Sequence, residues 1–329
     1  MPRTKPVRGR YAPSPTGDLH VGNARTALAA WLAARAAGGA FVMRIEDLDP
    51  PRVVAGAEER TLDDLRWLGL DWDEGPGMIG AHSPYRQSER SRLYIQALRS
   101  LEAAGRLYSC TCSRAELRGL LSAPHGPGTE GPPYPGTCRD KGIPIEIDVD
   151  AESRVRLPAL RFRVEPNENV TFEDAVFGET MQNVATEVGD FIVRRSDGLF
   201  TYQLAATVDD AAMGITQVVR GADLLHSTPR QILLLRVLKA AVPDYGHIPL
   251  VLSRSGERLA KRTRPMAVRD LREAGVDPER IVGAMAHTLG LIDRSEPVAA
   301  RELVDKFRWR KIEREPWMLA REAFMDRES

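Results

Sequence analysis

A chain of 329 residues, 43% hydrophobic and 28% charged, has the size and composition of a soluble globular protein with two or more packed units. Its 46 Lys and Arg balance 46 Asp and Glu, which excludes a nonspecific nucleic-acid coat and requires any RNA partner to find a local basic patch. No apolar run approaches the roughly 20 residues of a membrane span, no apolar segment follows the basic N-terminus as in a secretory signal, and three cysteines are too few for a disulfide framework. The expectation is a cytoplasmic protein with no membrane partner.

In chain order, residues 7–11 read as a short strand, ended by the prolines and glycine of Ala12-Pro13-Ser14-Pro15-Thr16-Gly17. Residues 23–37 are rich in Ala and Leu and predict a helix, closed by Gly38-Gly39. Residues 40–45 are apolar and β-leaning. Residues 55–68 return to helical spacing, with Leu62, Leu65 and Leu68 on one face. This βαβα order predicts a parallel sheet with crossover helices.

The middle of the chain breaks that pattern. Residues 123–137 hold five prolines and four glycines and cannot form a regular element. Short strands are expected near 160–164 and 170–172. A hairpin is expected over 191–202 around Ser196-Asp197-Gly198, then a helix, a strand over 216–219, and a long helix through 241 capped by Ser227 with Pro229 in its first turn. The last 75 residues read as helical and charged. The expected divisions are 1–105 and 191–252 as two halves of one domain, 106–190 as an insertion, and 253–329 as a loop and helical tail.

Asp18-Leu19-His20-Val21-Gly22-Asn23 lies between a predicted strand and helix. A helix N-terminus offers unpaired N–H groups and a positive dipole end, which suits phosphate. His20 can donate a hydrogen bond to a phosphate oxygen, and Gly22 leaves room for a base or ribose. The bland alternative is a tight turn with a surface histidine.

All three cysteines, Cys110, Cys112 and Cys138, fall within 29 residues, so a shared ligand is expected. Zinc favours thiolates in tetrahedral sets of four, which leaves one position for another residue. His125 lies in the same segment and is a conventional candidate. A metal also explains how so Pro- and Gly-rich a segment holds one shape. Its role is expected to be structural, since the cluster lies away from the nucleotide motif.

Five blocks, in order, carry a family resemblance: Arg10 to Gly17, Leu19-His20-Val21-Gly22, Arg44-Ile45-Glu46-Asp47-Leu48-Asp49, Asp197 to Ala205, and Val219-Arg220-Gly221-Ala222-Asp223-Leu224. They resemble the catalytic domain of glutamyl-tRNA synthetases, with His20 to Asn23 matching the HIGH signature of class I enzymes. Arg258-Leu259-Ala260-Lys261-Arg262 occupies the place of the KMSKS loop, with Arg for its first lysine and Ala for its serine. The chain ends 68 residues after Lys261, where longer synthetases continue into an anticodon-reading region. That shortness and the cysteine cluster look more like the glutamyl-queuosyl tRNA(Asp) synthetases, which attach glutamate to the queuosine base of the anticodon.

The resemblance implies an α/β fold: a Rossmann-like class I aminoacyl-tRNA synthetase core with a zinc-bearing insertion and a short helical C-terminal region. It implies a monomer that uses ATP with Mg²⁺, L-glutamate and queuosine-bearing tRNA(Asp). Arg10 and Arg220 would bind the carboxylates, Tyr202 would donate a hydroxyl, and Glu46 would face the ammonium. Ala12 and Ser14 would line the pocket. ATP falls to His20, Gly22, Asn23 and Lys261, with His20, Gly22 and Lys261 catalytic. Tyr134 matches the fourth zinc ligand beside Cys110, Cys112 and Cys138, with His125 its rival. The alternatives are a shortened synthetase charging the tRNA 3′ end and a catalytically weak tRNA-binding paralogue. The mixed segment Lys306 to Lys311 is either an RNA surface or a solvated helix face with Phe307 and Trp309 turned inward.

Overall fold

The computed structural model describes residues 6–113, 116, 133–148, 157–252 and 266–318. The first half follows the expected alternation: β1 (Arg8–Tyr11), α1 (Val21–Ala36), β2 (Ala40–Met43), α2 (Ala57–Trp67) and α3 (Ser91–Ala103). α1 is buried almost all round, which its run of alanines permits, because small side chains let the sheet and a second helix approach it from both sides. Gly38 ends it at φ +63°, and Gly39 lies so close to the Val7 carbonyl that a Cβ there would collide with it. Leu62, Leu65 and Leu68 are all buried, as their spacing predicts.

β3 (Leu107–Cys110), β4 (Ala159–Phe162) and β7 (Phe191–Arg194) form a three-stranded antiparallel sheet. Between the last two lie the hairpin β5 (Asn169–Asp174) and β6 (Gly178–Asn183) and the single turn α4 (Val184–Glu187). Then come α5 (Tyr202–Ala212), β8 (Gln217–Gly221), α6 (Thr228–Val237), β9 (Asp244–Ile248), β10 (Val251–Leu252), α7 (Val268–Glu273), α8 (Pro278–Thr288) and β11 (Trp317–Met318).

The main sheet has the order β2-β1-β8-β9-β5-β6, parallel except for the edge strand β6. Alternate residues feed opposite faces, the period-two rule of a strand. Phe41, Met43 and Val219 join a core with α1, α2 and α8, whereas Val42, Val218 and Tyr245 join a second core with α3, α5 and α6. Helices therefore cover both faces, the doubly wound arrangement expected of a parallel sheet.

Several local expectations are corrected. The segment 191–202 does turn back on itself, with Arg194 bridging Phe200 antiparallel, the Arg195 N–H donating to the Leu199 carbonyl at 2.8 Å and the Thr201 N–H to the Val193 carbonyl at 3.0 Å, but its return arm is shorter than expected, because Tyr202 already begins α5. α6 stops at Val237, and the Ser227 hydroxyl makes no cap, because it accepts from Gln203 and Arg230. The C-terminal region contains short helices, 3₁₀ turns and β11. There Phe307 is buried, and Trp309 fills the space beside Gly246. The expected divisions also cut across the sheets. β5 and β6, within 106–190, extend the main sheet, while β7, beyond 190, completes the three-stranded one.

Candidate active site and metal centre

β1 and β8 are parallel neighbours, and the chain leaves them for opposite faces, α1 on one and α6 on the other. This reversal is where open α/β sheets form a crevice beyond the carboxyl ends of their strands. Arg10 lies on β1 and Arg220 on β8, and each is about 95% buried. Arg10 donates to both carboxylate oxygens of Asp210 at 3.2 and 3.4 Å and to the Val219 carbonyl at 3.0 Å. It is thereby tied to the residue preceding Arg220.

Just after β2, Arg44 is fully buried and donates to Asp210 at 2.7 Å and Glu46 at 3.2 Å. Its neighbour Asp209 accepts from Gln87 at 2.8 Å, Arg90 at 2.6 Å and the Tyr94 hydroxyl at 2.9 Å. Three arginines thus meet three carboxylates out of water, which is tolerable only because each charge is paired and hydrogen-bonded. Burial opposes the charge on Arg44, but Asp210, Asp209 and Glu46 more than compensate and raise its pKa. Burial pushes the Asp210 carboxyl up, yet Arg10 and Arg44 bring it below its ordinary value. Burial pushes Glu46 up as well, and Arg44 and Arg10 only partly offset it, so its pKa lies above the ordinary glutamate value.

Arg220 is held on every side. Its Nε donates to His247 Nε2 at 3.1 Å, one terminal nitrogen to Tyr202 at 3.0 Å and Gln231 at 2.7 Å, and the other to Thr228 at 2.8 Å and the Leu224 carbonyl at 3.4 Å. The Tyr202 oxygen accepts from Arg220, which leaves its O–H to donate elsewhere. The longest bond, to Leu224, is the one that yields most easily to a stronger acceptor. Ala12 is half-buried and Ser14 exposed, in the loop after β1. The backbone N–H of Glu46 donates to Pro13 at 2.9 Å and that of Arg44 to Tyr11 at 3.0 Å, which locks this loop against the Arg44–Glu46 segment.

His20 is the N-cap of α1, and its Nδ1 accepts from the Asn23 backbone N–H at 3.2 Å. Burial lowers its pKa, so it is neutral near pH 7. With Nδ1 as acceptor, Nε2 carries the proton and is the free donor. A Cβ at Gly22 would lie 3.3 Å from the His20 ring, so glycine gives that ring its room. Asn23 is exposed in the first turn. The Val21 N–H donates to the Met266 carbonyl at 3.0 Å, and Val251 lies beside Gly22. Residues 251 and 266 therefore both reach the N-terminus of α1. Arg258, Ala260 and Lys261 lie outside the described residues, as does His125.

The cysteine cluster is assembled by β3 and the segment 133–148. The Sγ atoms of Cys110, Cys112 and Cys138 all lie within 4.8 Å of one another. Cys112 and Cys138 are 3.5 Å apart, and the Tyr134 oxygen is 3.4 Å from Cys110 Sγ and 3.5 Å from Cys112 Sγ. A tetrahedral zinc sets sulfurs about 3.8 Å apart and a sulfur and an oxygen about 3.5 Å apart, so this donor set fits one zinc. Burial works against the Cys138 thiolate, but hydrogen bonds from the Thr111 backbone, Tyr134 and Cys112 outweigh it and bring its pKa down to about 6. Burial raises the Tyr134 phenol, so it is protonated without a metal. The Arg161 guanidinium lies 3.7 Å over the Tyr134 ring.

Sequence alone did not single out Asp209, Asp210, Asp174, Gln231, Thr228 or His247, nor give Arg44 a role. For two of them a signal exists: Asp209-Asp210 interrupts an otherwise apolar helix, where acids need partners.

Comparison with known proteins gives the family of the chain. The family described as tRNA synthetases class I (E and Q), catalytic domain, matches residues 6–326. A glutamyl-Q tRNA(Asp) synthetase of Symbiobacterium thermophilum is 52% identical over 94% of each chain. A glutamate–tRNA ligase 2 of Acidithiobacillus ferrooxidans is 46% identical over 83% of this chain but only 56% of its own. Among solved structures, a glutamate tRNA ligase from Elizabethkingia meningosepticum in complex with its amino acid superposes with a TM-score of 0.80 at 28% identity, over 97% of this chain and 68% of its own. The chain belongs to the class I tRNA synthetases of the glutamate and glutamine type, whose catalytic domain it carries.

Proposed function

We propose that this enzyme activates L-glutamate with ATP and transfers it to the queuosine base in the anticodon of tRNA(Asp). The carrying observation is the joined set Arg10, Glu46, Tyr202 and Arg220 at the strand ends beside the His20-capped helix. The near full-length similarity to glutamyl-Q tRNA(Asp) synthetases supports the choice of acceptor.

The amino acid enters with its carboxylates toward Arg10, Arg220 and the Tyr202 hydroxyl and its ammonium toward Glu46, with Ala12 and Ser14 lining the pocket. The α-carboxylate attacks the α-phosphorus of ATP, which enters as its magnesium complex. Glutamyl-adenylate forms and pyrophosphate leaves. His20 Nε2–H donates to a phosphate oxygen as charge builds there, Gly22 and Asn23 hold the nucleotide against the first turn of α1, and Lys261 neutralises the leaving pyrophosphate. A cyclopentene hydroxyl of queuosine then attacks the mixed anhydride and releases AMP. One structural zinc is held by Cys110, Cys112, Cys138 and Tyr134. The enzyme acts in the cytoplasm as a monomer.

The second reading, glutamate charged to the tRNA 3′ end, is favoured by the 46% identity to a glutamate–tRNA ligase. Both readings require activation, so glutamate-dependent ATP–pyrophosphate exchange is the first test. Exchange is expected from protein alone, without tRNA. No exchange from zinc-replete protein, with or without tRNA, contradicts both and leaves the tRNA-binding paralogue.

A further inference from the structure

Arg220 owes its position to a histidine that must stay in one tautomer. His247 is fully buried on β9, one strand from Arg220. Its Nδ1 lies 2.6 Å from Asp174 Oδ2, and its Nε2 lies 3.1 Å from Arg220 Nε. An arginine only donates, so Nε2 must be an unprotonated acceptor and Nδ1 must carry the proton. The Asp174 carboxylate fixes this choice by accepting that proton's hydrogen bond.

Asp174 is equally constrained. It ends β5 and is buried. Its Oδ1 accepts from the backbone N–H groups of Val176 at 3.0 Å and Phe177 at 2.9 Å, and its Oδ2 accepts from that of His247 at 3.1 Å. Asp174 fixes the proton on Nδ1, while burial and the neighbouring arginines keep the ring neutral. Burial lowers its pKa, and Arg220 and Arg10 lower it further against the pull of Asp174. The Thr228 hydroxyl stands 3.3 Å from Nε2, and the Tyr245 ring stacks on the imidazole at 6.3 Å. A protonated His247 would turn a second donor toward the Arg220 guanidinium, with two cations in contact.

We propose that Asp174 and His247 are positioning residues for glutamate: Asp174 sets the tautomer of His247, and His247 holds the Arg220 fork at the angle that also aims the Tyr202 hydroxyl. Neither touches substrate. The proposal rests on the glutamate-activation reading and adds to it a chain of control running from β5, outside every sequence block that carries the family resemblance.

The test is a set of variants in glutamate-dependent ATP–pyrophosphate exchange. In Asp174→Asn the amide oxygen must stay at the Oδ1 position to serve the Val176 and Phe177 N–H groups, so the NH₂ faces Nδ1. His247 then switches tautomer and presents Nε2–H to Arg220, donor against donor. Losing a hydrogen bond to a charged group is expected to raise the KM for glutamate about tenfold or more, with the KM for ATP within about twofold. His247→Gln sets an amide oxygen near the place of Nε2 and is expected to recover most glutamate affinity, whereas His247→Leu is not. Because glutamine has no tautomer, adding Asp174→Asn to His247→Gln is expected to cost little more, a non-additivity that general destabilisation does not produce. Equal rises in both KM values, or additive effects in the double variant, overturn the proposal. If the wild-type protein shows no exchange at all, the activation reading fails and the proposal falls with it. Wild-type exchange with a glutamate KM unmoved by Asp174→Asn overturns the proposal alone.

Discussion

Replacing Arg220 by lysine keeps the charge and removes the fork. Arg220 reaches five acceptors, four of them at 3.1 Å or less: His247 Nε2, the Tyr202 oxygen, Gln231 Oε1 and Thr228 Oγ1. A lysine has three N–H donors on a single nitrogen. From one point it cannot reach acceptors spread around a planar fork, so at least one close partner is left unpaired in a buried site. A hydrogen bond to a charged group is worth roughly 1.5 to 3 kcal/mol, and a stranded buried acceptor costs about as much. Partial repacking recovers some of this, leaving an expected loss of about 2 to 3 kcal/mol, or roughly 30-fold to 150-fold in glutamate affinity. ATP makes no contact with this cluster in the proposed arrangement. Steady-state exchange, varying glutamate at saturating ATP and then the reverse, should raise the glutamate KM by that factor and leave the ATP value within about twofold. A thermal melt of each variant controls for unfolding. Parallel loss of both substrates, or a glutamate KM within threefold of wild type, would show that Arg220 serves the fold and not the amino acid.

At the helix terminus, His20→Asn retains a capping side chain for the Asn23 N–H but shortens the donor. Its melting temperature should stay near wild type while the exchange rate falls at least tenfold, and His20→Ala should lose both, the missing cap costing about 1 kcal/mol. Equal rates in the Asn variant and wild type would contradict the phosphate role. The Glu46 carboxyl has a raised pKa and must be ionised to receive an ammonium, so glutamate affinity is full above that pKa and is lost as pH falls through it. The weakening should therefore begin at a higher pH than for an ordinary glutamate, and Glu46→Gln should weaken binding at every pH and remove that limb. A limb that persists in Glu46→Gln assigns the titration to another group. Metal analysis should find one zinc per chain, lowered by Cys112→Ser. Retention of zinc in Tyr134→Phe with its loss in His125→Ala would transfer the fourth ligand to His125.

Local sequence carried the fold where the signal was local. The alanine-rich run, its glycine stop and the apolar strands on either side set α1, β1 and β2 to within about two residues, because propensity and capping act over single turns. The pairing of strands was not local. Nothing in residues 169–183 says that β5 joins β9 some 70 residues later in the main sheet, while β7 turns away from it. The site divides in the same way. Arg10, Glu46, Tyr202 and Arg220 lie in recognisable blocks, yet the groups that hold them do not. Asp210 meets Arg10 across 200 positions, and Asp174 meets His247 across 73. A buried charge announces that it has a partner without naming it, and only the assembled sheet brings the two together. In the segment 191–202 the turn-back is legible, and Phe200 does return beside Arg194, but the length of the returning arm is not. Turn chemistry at Ser196-Asp197-Gly198 is real, but a turn does not fix the type of the next element, and Tyr202 opens a helix whose apolar face packs into the core.

Transfer to queuosine and transfer to the terminal ribose share the activation step and differ only in the attacking hydroxyl. The decisive measurement incubates the enzyme with labelled glutamate, ATP and tRNA(Asp) in three forms: queuosine-bearing, queuosine-bearing with the terminal adenosine removed, and unmodified with guanosine at the wobble position. Both queuosine-bearing forms are expected to accept glutamate, and the unmodified one is not. Glutamate on the unmodified tRNA, lost when the terminal adenosine is removed, would contradict transfer to queuosine and assign the enzyme to 3′-end charging.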